Sequence, residues 1–220
     1  MKKLTALLLI VVLFVTACSE TGENEQESVL YALSPQFDGV IDESELEEFI
    51  RILRKRIDSA GLSRGQYNVQ ASEGRLMVSL DSALDEPDRL IEQITQVGEL
   101  TFQHDGEIVL TGEHVKRADS KYNAYNSNFE VSLEFTEEGG ELFYEITSEL
   151  SGGYLSVLEI WIDDTLLSAP TVSHPISGGN AAITGGNGGF TFEEAKALAE
   201  KIDSGALPYR LGIEKIERTN

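Results

Sequence analysis

The sequence is poor in cysteine and in basic residues, and each shortage excludes a class of protein. Cys18 is the only cysteine among 220 residues, so no intrachain disulfide can form. Lysine and arginine number 17 against 38 aspartates and glutamates, which gives a formal net charge of −21. Nucleic acids require a basic face that displaces counterions, and anionic lipid surfaces attract basic segments, so neither partner is expected to bind by charge. The acidic surface favours solubility; adaptation to a saline or alkaline exterior and attraction of basic client segments are the alternatives.

The residues that usually carry catalysis or bind metals are few and lack the required spacing. The three histidines, His104, His114 and His174, show no His-x-x-x-His pattern and have no second cysteine to complete a zinc site. No Gly-x-Ser-x-Gly nucleophile elbow is present, although serine, histidine and aspartate are scattered through the chain. We therefore predict a non-enzymatic protein with no catalytic residues, no metal and no cofactor.

The first 18 residues have the pattern of a lipoprotein signal. Lys2 and Lys3 precede an apolar run over 4–15, and small residues then lead to Cys18. This end resembles the lipobox of bacterial lipoproteins, which implies cleavage between Ala17 and Cys18 and a lipid on the cysteine thiol. The run is shorter than the roughly 20 apolar residues of a membrane-spanning helix. An uncleaved anchor and an ordinary signal peptide with a chance cysteine are the alternatives.

The segment after the cysteine is polar and acidic, with no apolar side chain from Ser19 to Ser28. Such a segment cannot bury enough surface to fold, so residues 18–28 are predicted to be a disordered tether. The mature protein would then lie on the outer face of the cytoplasmic membrane. No second long apolar run follows Cys18.

The order of elements over 29–105 is typical of one fold. Apolar periodicity, capping boxes, turn residues and proline positions predict six elements. They are a strand at 29–33, a helix beginning at Asp42 or at Ser44 with Glu47, a hairpin of 67–71 with 76–80, a helix opening at Pro87, and a strand at 100–102. Strand, helix, strand, strand, helix, strand is the ferredoxin-like split arrangement.

The second half is predicted to be a mixed α+β unit. Its elements are a surface loop over 118–128, a strand over 131–135, a helix over 141–150 after Gly139-Gly140, strands on either side of Asp163-Asp164, a short strand after Gly178-Gly179, and a helix from Thr191 with Glu194 in a capping box. Pro170 ends the second of the paired strands because proline cannot donate to a ladder. Gly205, followed by Pro208, ends the last helix.

Four features of this pattern have two interpretations each. Arg51, Arg54, Lys55 and Arg56 are interpreted as a solvated face paired with glutamates one turn earlier, or else as a binding patch. Asp163-Asp164 indicates a turn rather than a catalytic or calcium-binding pair, because neighbouring side chains of an extended segment point apart. The Gly-rich run 178–189 indicates a flexible connection rather than a phosphate cradle, since it lacks the Gly-Lys-Ser/Thr ending. Trp161 is predicted to be packed core rather than a ligand platform.

Several separated motifs in the second half resemble one family, the first large extracytoplasmic domain of SecD, an accessory subunit of the bacterial secretion translocase. The matching residues are Trp161-Ile162-Asp163, Leu167-Ser168-Ala169-Pro170, Ile176 to Gly185 including Gly178 and Gly179, and Phe190 to Pro208 with Ser204-Gly205-Ala206-Leu207-Pro208. The run 53–62, LRKRIDSAGL, is similar to a helix end of the same family.

The resemblance implies an α+β protein with a ferredoxin-like split base subdomain and an inserted α+β head subdomain. The base is predicted to be 29–105 plus 208–220, with a return strand at 209–213, and the head to be 106–207. Asp163, Ser168, Ala169, Pro170, Gly178, Gly179, Gly185, Gly205 and Pro208 are the structural residues of the family motif.

The resemblance also implies contact with unfolded secreted proteins or translocase subunits outside the membrane. An extended client could add to a sheet edge of the head. The glycines near 178 and 185 are predicted to be joints that let the head move against the base. SecD carries several membrane helices and, with its partner, uses the proton gradient. That coupled role is not expected here, because no second long apolar run follows Cys18. The alternative is a structural or interaction lipoprotein of the cell envelope that binds one folded partner and has no part in secretion.

Overall fold

The structure is a computed structural model that describes residues 28–37, 41–72, 74–151, 153, 156–186 and 188–216. The predicted signal peptide, the cleavage site at Ala17 and the lipidated Cys18 lie outside these residues, as does the predicted tether up to its last residue. That residue, Ser28, begins the first strand. Within the described ranges, no helix combines the length and apolar character needed to cross a bilayer.

The described residues form eleven strands and four α-helices, with a 3-10 turn at Gly112–His114. The strands are β1 (Ser28–Pro35), β2 (Tyr67–Ser72), β3 (Arg75–Asp81), β4 (Leu100–His104), β5 (Glu107–Thr111), β6 (Val115–Asn123), β7 (Asn128–Phe135), β8 (Glu159–Ile162), β9 (Thr165–Ser168), β10 (Asn180–Thr184) and β11 (Leu211–Ile216). The helices are α1 (Glu43–Ser59), α2 (Pro87–Ile94), α3 (Glu137–Leu150) and α4 (Phe192–Ser204). The predicted α+β class is confirmed.

The first sheet has the strand order β11-β1-β3-β2 and is antiparallel throughout. With α1 and α2 it encloses one hydrophobic core, which we call the base core. Its buried residues include Tyr31, Leu33, Phe49, Ile52, Leu53, Ile57, Val69, Leu76, Val78, Leu80, Ile91 and Ile94. The predicted return strand is present as β11, which places Ile213 opposite Leu33 of β1.

The strand at 100–102 does not belong to this sheet, and its placement in the base was wrong. It forms β4, which pairs with β5 on one side and β8 on the other. Its Phe102 ring lies 6.0 Å from Phe135 and 5.9 Å from Phe143, which belong to the second core. Local periodicity gives the strand but not its partner, because an apolar side chain can be buried equally well in either core. The fourth strand of the base is therefore β11.

The second core, which we call the head core, lies among two sheets and two helices. The sheets have the orders β10-β7-β6 and β5-β4-β8-β9, and both are antiparallel. Helix α4 packs on β6 and β7, and α3 contacts β5 and β7. Buried residues of this core include Leu100, Phe102, Leu110, Val131, Leu133, Phe135, Phe143, Leu158, Ile160, Ile183, Ala195 and Ile202.

Two boundaries in the head differ from the prediction. Residues 118–123, predicted to be loop, form most of β6, which pairs with β7 along its length. Ala118 is the one buried residue of β6, and a single small residue among polar neighbours leaves no alternating apolar pattern in the sequence. Helix α3 begins at Glu137, and Thr136 caps it by accepting from the Gly139 amide. The two glycines thus lie inside the helix, where a Cβ on Gly139 would approach the His114 carbonyl oxygen to 2.6 Å.

The helix ends follow local rules. Asp42, not Ser44, caps α1, and it forms a capping box with Glu45 rather than the predicted Ser44–Glu47 box. Pro87 opens α2 and Thr191 with Glu194 caps α4, as predicted. Gly205 ends α4 with φ 88° and ψ 163°, so its backbone is extended at positive φ and not left-handed helical as expected.

Candidate functional site

The two cores are joined by two crossings of the chain, residues 95–99 and residues 204–210. The first leaves α2 and enters β4, and the second leaves α4 and enters β11. The crossings lie side by side, since the Leu207 amide donates to the Val97 carbonyl oxygen over 2.8 Å. Leu207 itself is buried in the base core. We call this region, together with the side chains that bind it, the junction.

Arg56 of α1 lies at the centre of the junction and is only 7% exposed. Its guanidinium donates to the carbonyl oxygen of Ile94, the last residue of α2, at 2.7 Å. It also donates to carbonyl oxygens of both crossings: Gln96, Val97 at 2.9 Å and Gly205 at 2.8 Å. Its Nε donates to the Ser204 hydroxyl at 3.0 Å. All five donors of the guanidinium are thus used.

This side chain is a buried cation held by dipoles rather than by a directly bonded carboxylate. Burial lowers the pKa of Arg56 to about 10, and the negative charge of Asp163 opposes that shift. The guanidinium therefore stays charged at neutral pH. A buried charge needs such complete hydrogen bonding, because removing any part of it leaves desolvation uncompensated.

Asp163 binds the junction from the head side. It lies in the turn between β8 and β9 with φ 52°, as the turn interpretation predicts. Its carboxylate accepts from the amides of Gly98 at 2.8 Å and Glu99 at 3.0 Å, and Lys201 Nζ lies 3.5 Å away. Asp164 points elsewhere, with Oδ2 3.4 Å from Arg210 Nη2. The two carboxylates therefore do not converge on one site.

Two glycines of the junction have backbone angles that other residues rarely adopt. Gly98 has φ +77° and Gly205 has φ +88°. A Cβ on Gly98 would lie 2.7 Å from Arg56 Nη2, so the guanidinium occupies the space that a side chain would need. Gly98 is thus fixed both by its backbone and by its neighbour.

A third contact between the cores joins α1 to α4 and β6. Lys55 Nζ lies 2.7 Å from Asp203 Oδ2, and Asp203 Oδ1 accepts from the Ala118 amide at 3.2 Å. Burial raises the pKa of Asp203, but the hydrogen bonds from Lys55 and Ala118 outweigh it, so the pKa is lower than in a free aspartate. The carboxylate is therefore ionised at neutral pH and pairs with Lys55.

A cavity of about 350 Å³ lies beside the junction, between α1, α2 and α4. Ala60, Ile94, Ala197 and Leu198 give it apolar walls, and Lys201 is among its polar lining. The base and head thus meet around the junction without filling the space next to it.

The basic patch of α1 is only partly the solvated face that was predicted. Arg51 pairs with Glu48 one turn earlier. Arg54 instead donates to the Val69 carbonyl oxygen of β2 at 2.7 Å, and Lys55 and Arg56 bind the junction. The solvated-face interpretation is therefore wrong for the buried Arg56, whereas Arg54 and Lys55 are at least partly exposed but bind partners other than the predicted glutamates.

Five of the family-motif residues fall into two groups, one at the end of β9 and one in the second crossing. Ser168 ends β9, the Pro170 carbonyl oxygen accepts from the Leu158 amide at 3.0 Å, and Ala169 lies between them. Gly205 and Pro208 belong to the second crossing, on either side of the buried Leu207.

The glycines predicted to be joints lie inside the head, so this prediction was wrong. The Gly179 carbonyl oxygen accepts from the Phe135 amide at 2.8 Å, and a Cβ on Gly185 would approach the Gly189 carbonyl carbon to 2.7 Å. Gly178, Gly179 and Gly185 flank β10, which pairs with β7 of the same core. The run 178–189 thus contains a strand and is not one flexible connection.

Trp161 and the histidines take no part in the junction. Trp161 is half-buried on the face of β8 opposite to the buried Ile160 and Ile162, so its assignment to the core was wrong. Its Nε1 donates to Glu159 at 3.0 Å. His104 bonds the Val157 carbonyl oxygen at 2.9 Å. Across the described ranges, no three potential metal ligands come together.

The fold and the junction define a class: an α+β domain with a ferredoxin-like base and a head inserted before the last strand of that base. Residues 89–209 match the family model described as SecDF, P1 head subdomain. The chain belongs to this family.

Relatives by sequence are subunits of the protein translocase. The chain is 33% identical to protein translocase subunit SecD of Acidaminococcus fermentans, over 79% of this chain and 40% of that protein. It is 30% identical to SecD of Dictyoglomus turgidum, over 76% of this chain and 40% of that protein. The chain therefore spans about two-fifths of the length of these curated relatives.

Solved structures share the fold. A chain from "Structure and function of a membrane component SecDF that enhances protein export" superposes with a TM-score of 0.74 at 23% identity. The match covers 86% of this chain and 100% of that one. The crystal structure of SecDF in its super-membrane-facing form gives a TM-score of 0.72 at 24% identity, covering 84% of this chain and 29% of that one.

Proposed function

We propose that this chain is a lipid-anchored, extracytoplasmic SecD-like protein that contacts unfolded secreted polypeptides or translocase subunits during protein export. The observation that carries the proposal is membership in the SecDF P1 head family through residues 89–209. The identity with translocase subunit SecD, which extends over most of the chain, supports it further.

The anchor is the lipid on Cys18, and residues 1–17 are the cleaved signal. Each buried methylene contributes about 0.8 kcal/mol, so the several acyl chains of a lipoprotein hold where one chain would not. The Cys18→Ser variant should appear in the soluble extracytoplasmic fraction, whereas the parent protein stays with the membrane. Mass spectrometry of the membrane-extracted protein should find an acylated N-terminal cysteine; an unmodified Cys18 would overturn the anchor.

Clients are bound by addition of an extended segment to a sheet edge of the head, which takes little sequence specificity. The outer strands of the head sheets are β5, β9, β6 and β10. Asp203 covers the β6 edge at Ala118, and β9 lies beside β10. Strand β5 is the remaining edge, and its Ile108 side chain is 57% exposed. An edge with an exposed apolar side chain is a template for strand pairing.

Movement of the head relative to the base takes place at the two crossings. They contain Gly98 and Gly205, whose positive φ angles mark the places where the backbone changes direction. The hydrogen bonds of Arg56 to both crossings fix one relative orientation. The cavity of about 350 Å³ beside them provides space into which α4 can shift.

The test is binding of the mature protein to a reduced, unfolded secretory protein, compared with the same protein oxidised and folded. Affinity for the unfolded form alone is expected, measured by fluorescence anisotropy up to high micromolar concentration. In cells, deletion should lower the amount of several exported proteins in the secretome. Unchanged export together with one dominant, folded co-purified partner would contradict the proposal and favour an envelope interaction lipoprotein.

A further inference from the structure

The end of the head far from the junction carries a group of exposed aromatic side chains. Helix α4 runs from Ser204 at the junction to Phe192. Its 13 residues, at 1.5 Å each, span about 20 Å. The turn between β6 and β7 lies at this same end, because Phe129 of β7 contacts Phe192. We call Tyr122, Tyr125, Phe129 and Phe192 the aromatic tip.

Three of the four rings form a connected row that continues the core to the surface, and Tyr125 lies beside them in the turn between β6 and β7. Tyr122 lies opposite Phe129 in the register of β6 and β7, and their ring centroids are 5.3 Å apart, edge to face. Phe129 meets Phe192 at 5.3 Å in the same geometry. The Phe129 amide donates to the Phe190 carbonyl oxygen at 3.0 Å, which fixes the chain before α4 against β7.

The fold does not require all of these rings. Tyr125 is 99% exposed, Tyr122 58% and Phe192 46%. A single exposed apolar residue is ordinary, but a contiguous exposed aromatic patch marks an interaction surface. Phe129 and Phe192 stabilise the end of the core, whereas the Tyr125 ring lies almost wholly in solvent.

The charge next to Phe192 is negative. Glu193 and Glu194 lie in the first turn of α4, next to Phe192, and neither takes part in an ion pair among the described residues. Hydrogen bonds from the backbone and hydroxyl of Thr191 lower the pKa of Glu194, so its carboxylate is ionised. With a net charge of −21, the chain repels a second copy of itself and an anionic lipid surface.

We infer that the aromatic tip is a docking surface for unfolded polypeptide segments that carry lysine or arginine beside aromatic or aliphatic side chains. The rings provide apolar contact and faces for cations, and the two glutamates attract the positive charge. The inference rests on the proposed function: it adds to the β5 edge a second contact surface of the head and names the class of segment that this surface binds. Tyrosine and phenylalanine lose little conformational freedom when they bind, which suits transient capture of many segments.

The test uses the full mature chain and two fluorescein-labelled peptides of about 15 residues. Both contain phenylalanine and leucine; one carries four lysines, and the other carries glutamate at those positions. The lysine peptide should bind, and Tyr125→Ser combined with Phe192→Ser should weaken it by at least about tenfold. Tyr144→Ser is the matched control, because that tyrosine is 47% exposed but lies on α3. It should leave the affinity unchanged.

Each result separates the surface from the proposed function. If the double variant binds the lysine peptide with full affinity, the tip is not the binding surface, and the proposed binding of clients is unaffected. Failure of the parent protein to bind either peptide or an unfolded secretory protein would overturn both. If the glutamate peptide binds as tightly as the lysine peptide, the partner is not a cationic segment. If the protein sediments with anionic vesicles and Tyr125→Ser abolishes this, the partner of the tip is a lipid surface and not a polypeptide. Tyr125→Ser alone tests the surface without risk to folding, because that ring packs against almost nothing.

Discussion

At the scale of single residues, Arg56 is the side chain on which the junction depends. Replacing it with methionine removes five donors, which bind the Ser204 hydroxyl and the carbonyl oxygens of Ile94, Gln96, Val97 and Gly205. The Arg56→Met variant should lose more than about 2 kcal/mol of unfolding free energy, because each buried acceptor that loses its donor costs about 1–3 kcal/mol. Urea unfolding followed by circular dichroism measures this loss.

The control for Arg56 is an arginine in an exposed pair. Arg89 is 78% exposed and lies 3.1 Å from Glu86, so Arg89→Met should cost less than about 1 kcal/mol. Similar losses in the two variants would show that the hydrogen bonds of Arg56 stabilise the protein no more than a surface ion pair does.

A second prediction concerns replacement of Gly98 by alanine. Comparison with Gly106 separates the cost of backbone strain from the cost of a steric clash. Both Gly98 and Gly106 have positive φ, +77° and +83°, so alanine is strained at each by about 1 kcal/mol. Only at Gly98 does the new Cβ meet another atom, Arg56 Nη2 at 2.7 Å, whereas nothing lies within 4 Å at Gly106. Gly98→Ala should therefore lower the thermal midpoint more than Gly106→Ala. Equal shifts would show that the guanidinium moves aside at no cost.

The sequence contained evidence that Arg56 is buried, but the cluster of positive charges around it concealed that evidence. Phe49, Ile52, Leu53, Arg56 and Ile57 follow helical spacing, and all five are buried. An arginine on the apolar stripe of a helix indicates a buried cation with carbonyl or carboxylate partners. Because Arg56 belongs to a group of four basic residues within 51–56, the charge pattern predicted instead that its side chain faces solvent. The partners themselves could not be predicted, because they lie 38 to 149 residues away along the chain.

At the scale of elements, the contact between α1 and α4 predicts a pH dependence. The pKa of Asp203 is lowered in the folded protein from 3.8, because hydrogen bonds from Lys55 and Ala118 outweigh the effect of burial. Its stabilising contribution is therefore fully present well above the unfolded pKa of 3.8 and is lost as the pH falls through the lower folded value. The difference in stability between the parent and Asp203→Asn should shrink between about pH 6 and about pH 2.

Asp164→Asn is the control for this pH dependence. The Asp164 side chain is 93% exposed, and its ion pair is a single 3.4 Å contact with Arg210 Nη2. Its replacement should therefore change stability little at any pH. A constant difference between parent and Asp203→Asn across the range would show that ionisation of Asp203 does not contribute.

Elements whose signals are local were predicted well, and those that depend on distant partners were not. The capping box at Thr191, the proline at 87 and the hairpin turn at Asp163 each act within a few residues. Strand β6 is defined by pairing with β7 and by packing of α4, and its small buried Ala118 gave no periodic signal. The aromatic tip likewise arises only when Tyr122 and Phe192, 70 positions apart, meet across Phe129.

At the scale of the whole molecule, two cores unfold together only if the junction holds them. Trp161, the single tryptophan, lies on β8 in the head and reports its unfolding by fluorescence. Hydrogen exchange of the α1 amides reports the base. The two transitions should coincide in the parent protein and separate in Arg56→Met, because that residue binds α1 to both crossings. Separate transitions in the parent would show that the lobes are independent.

Insertion of the head between α2 and β11 also sets the order in which the base can be completed when the chain emerges from its N-terminal end. Until Leu211–Ile216 has emerged, strand β1 has a neighbour on only one side, and its other edge is an unpaired template. More than a hundred residues of head emerge before that strand does. A protein proposed to receive unfolded chains thus passes through a stage in which it is itself such a chain.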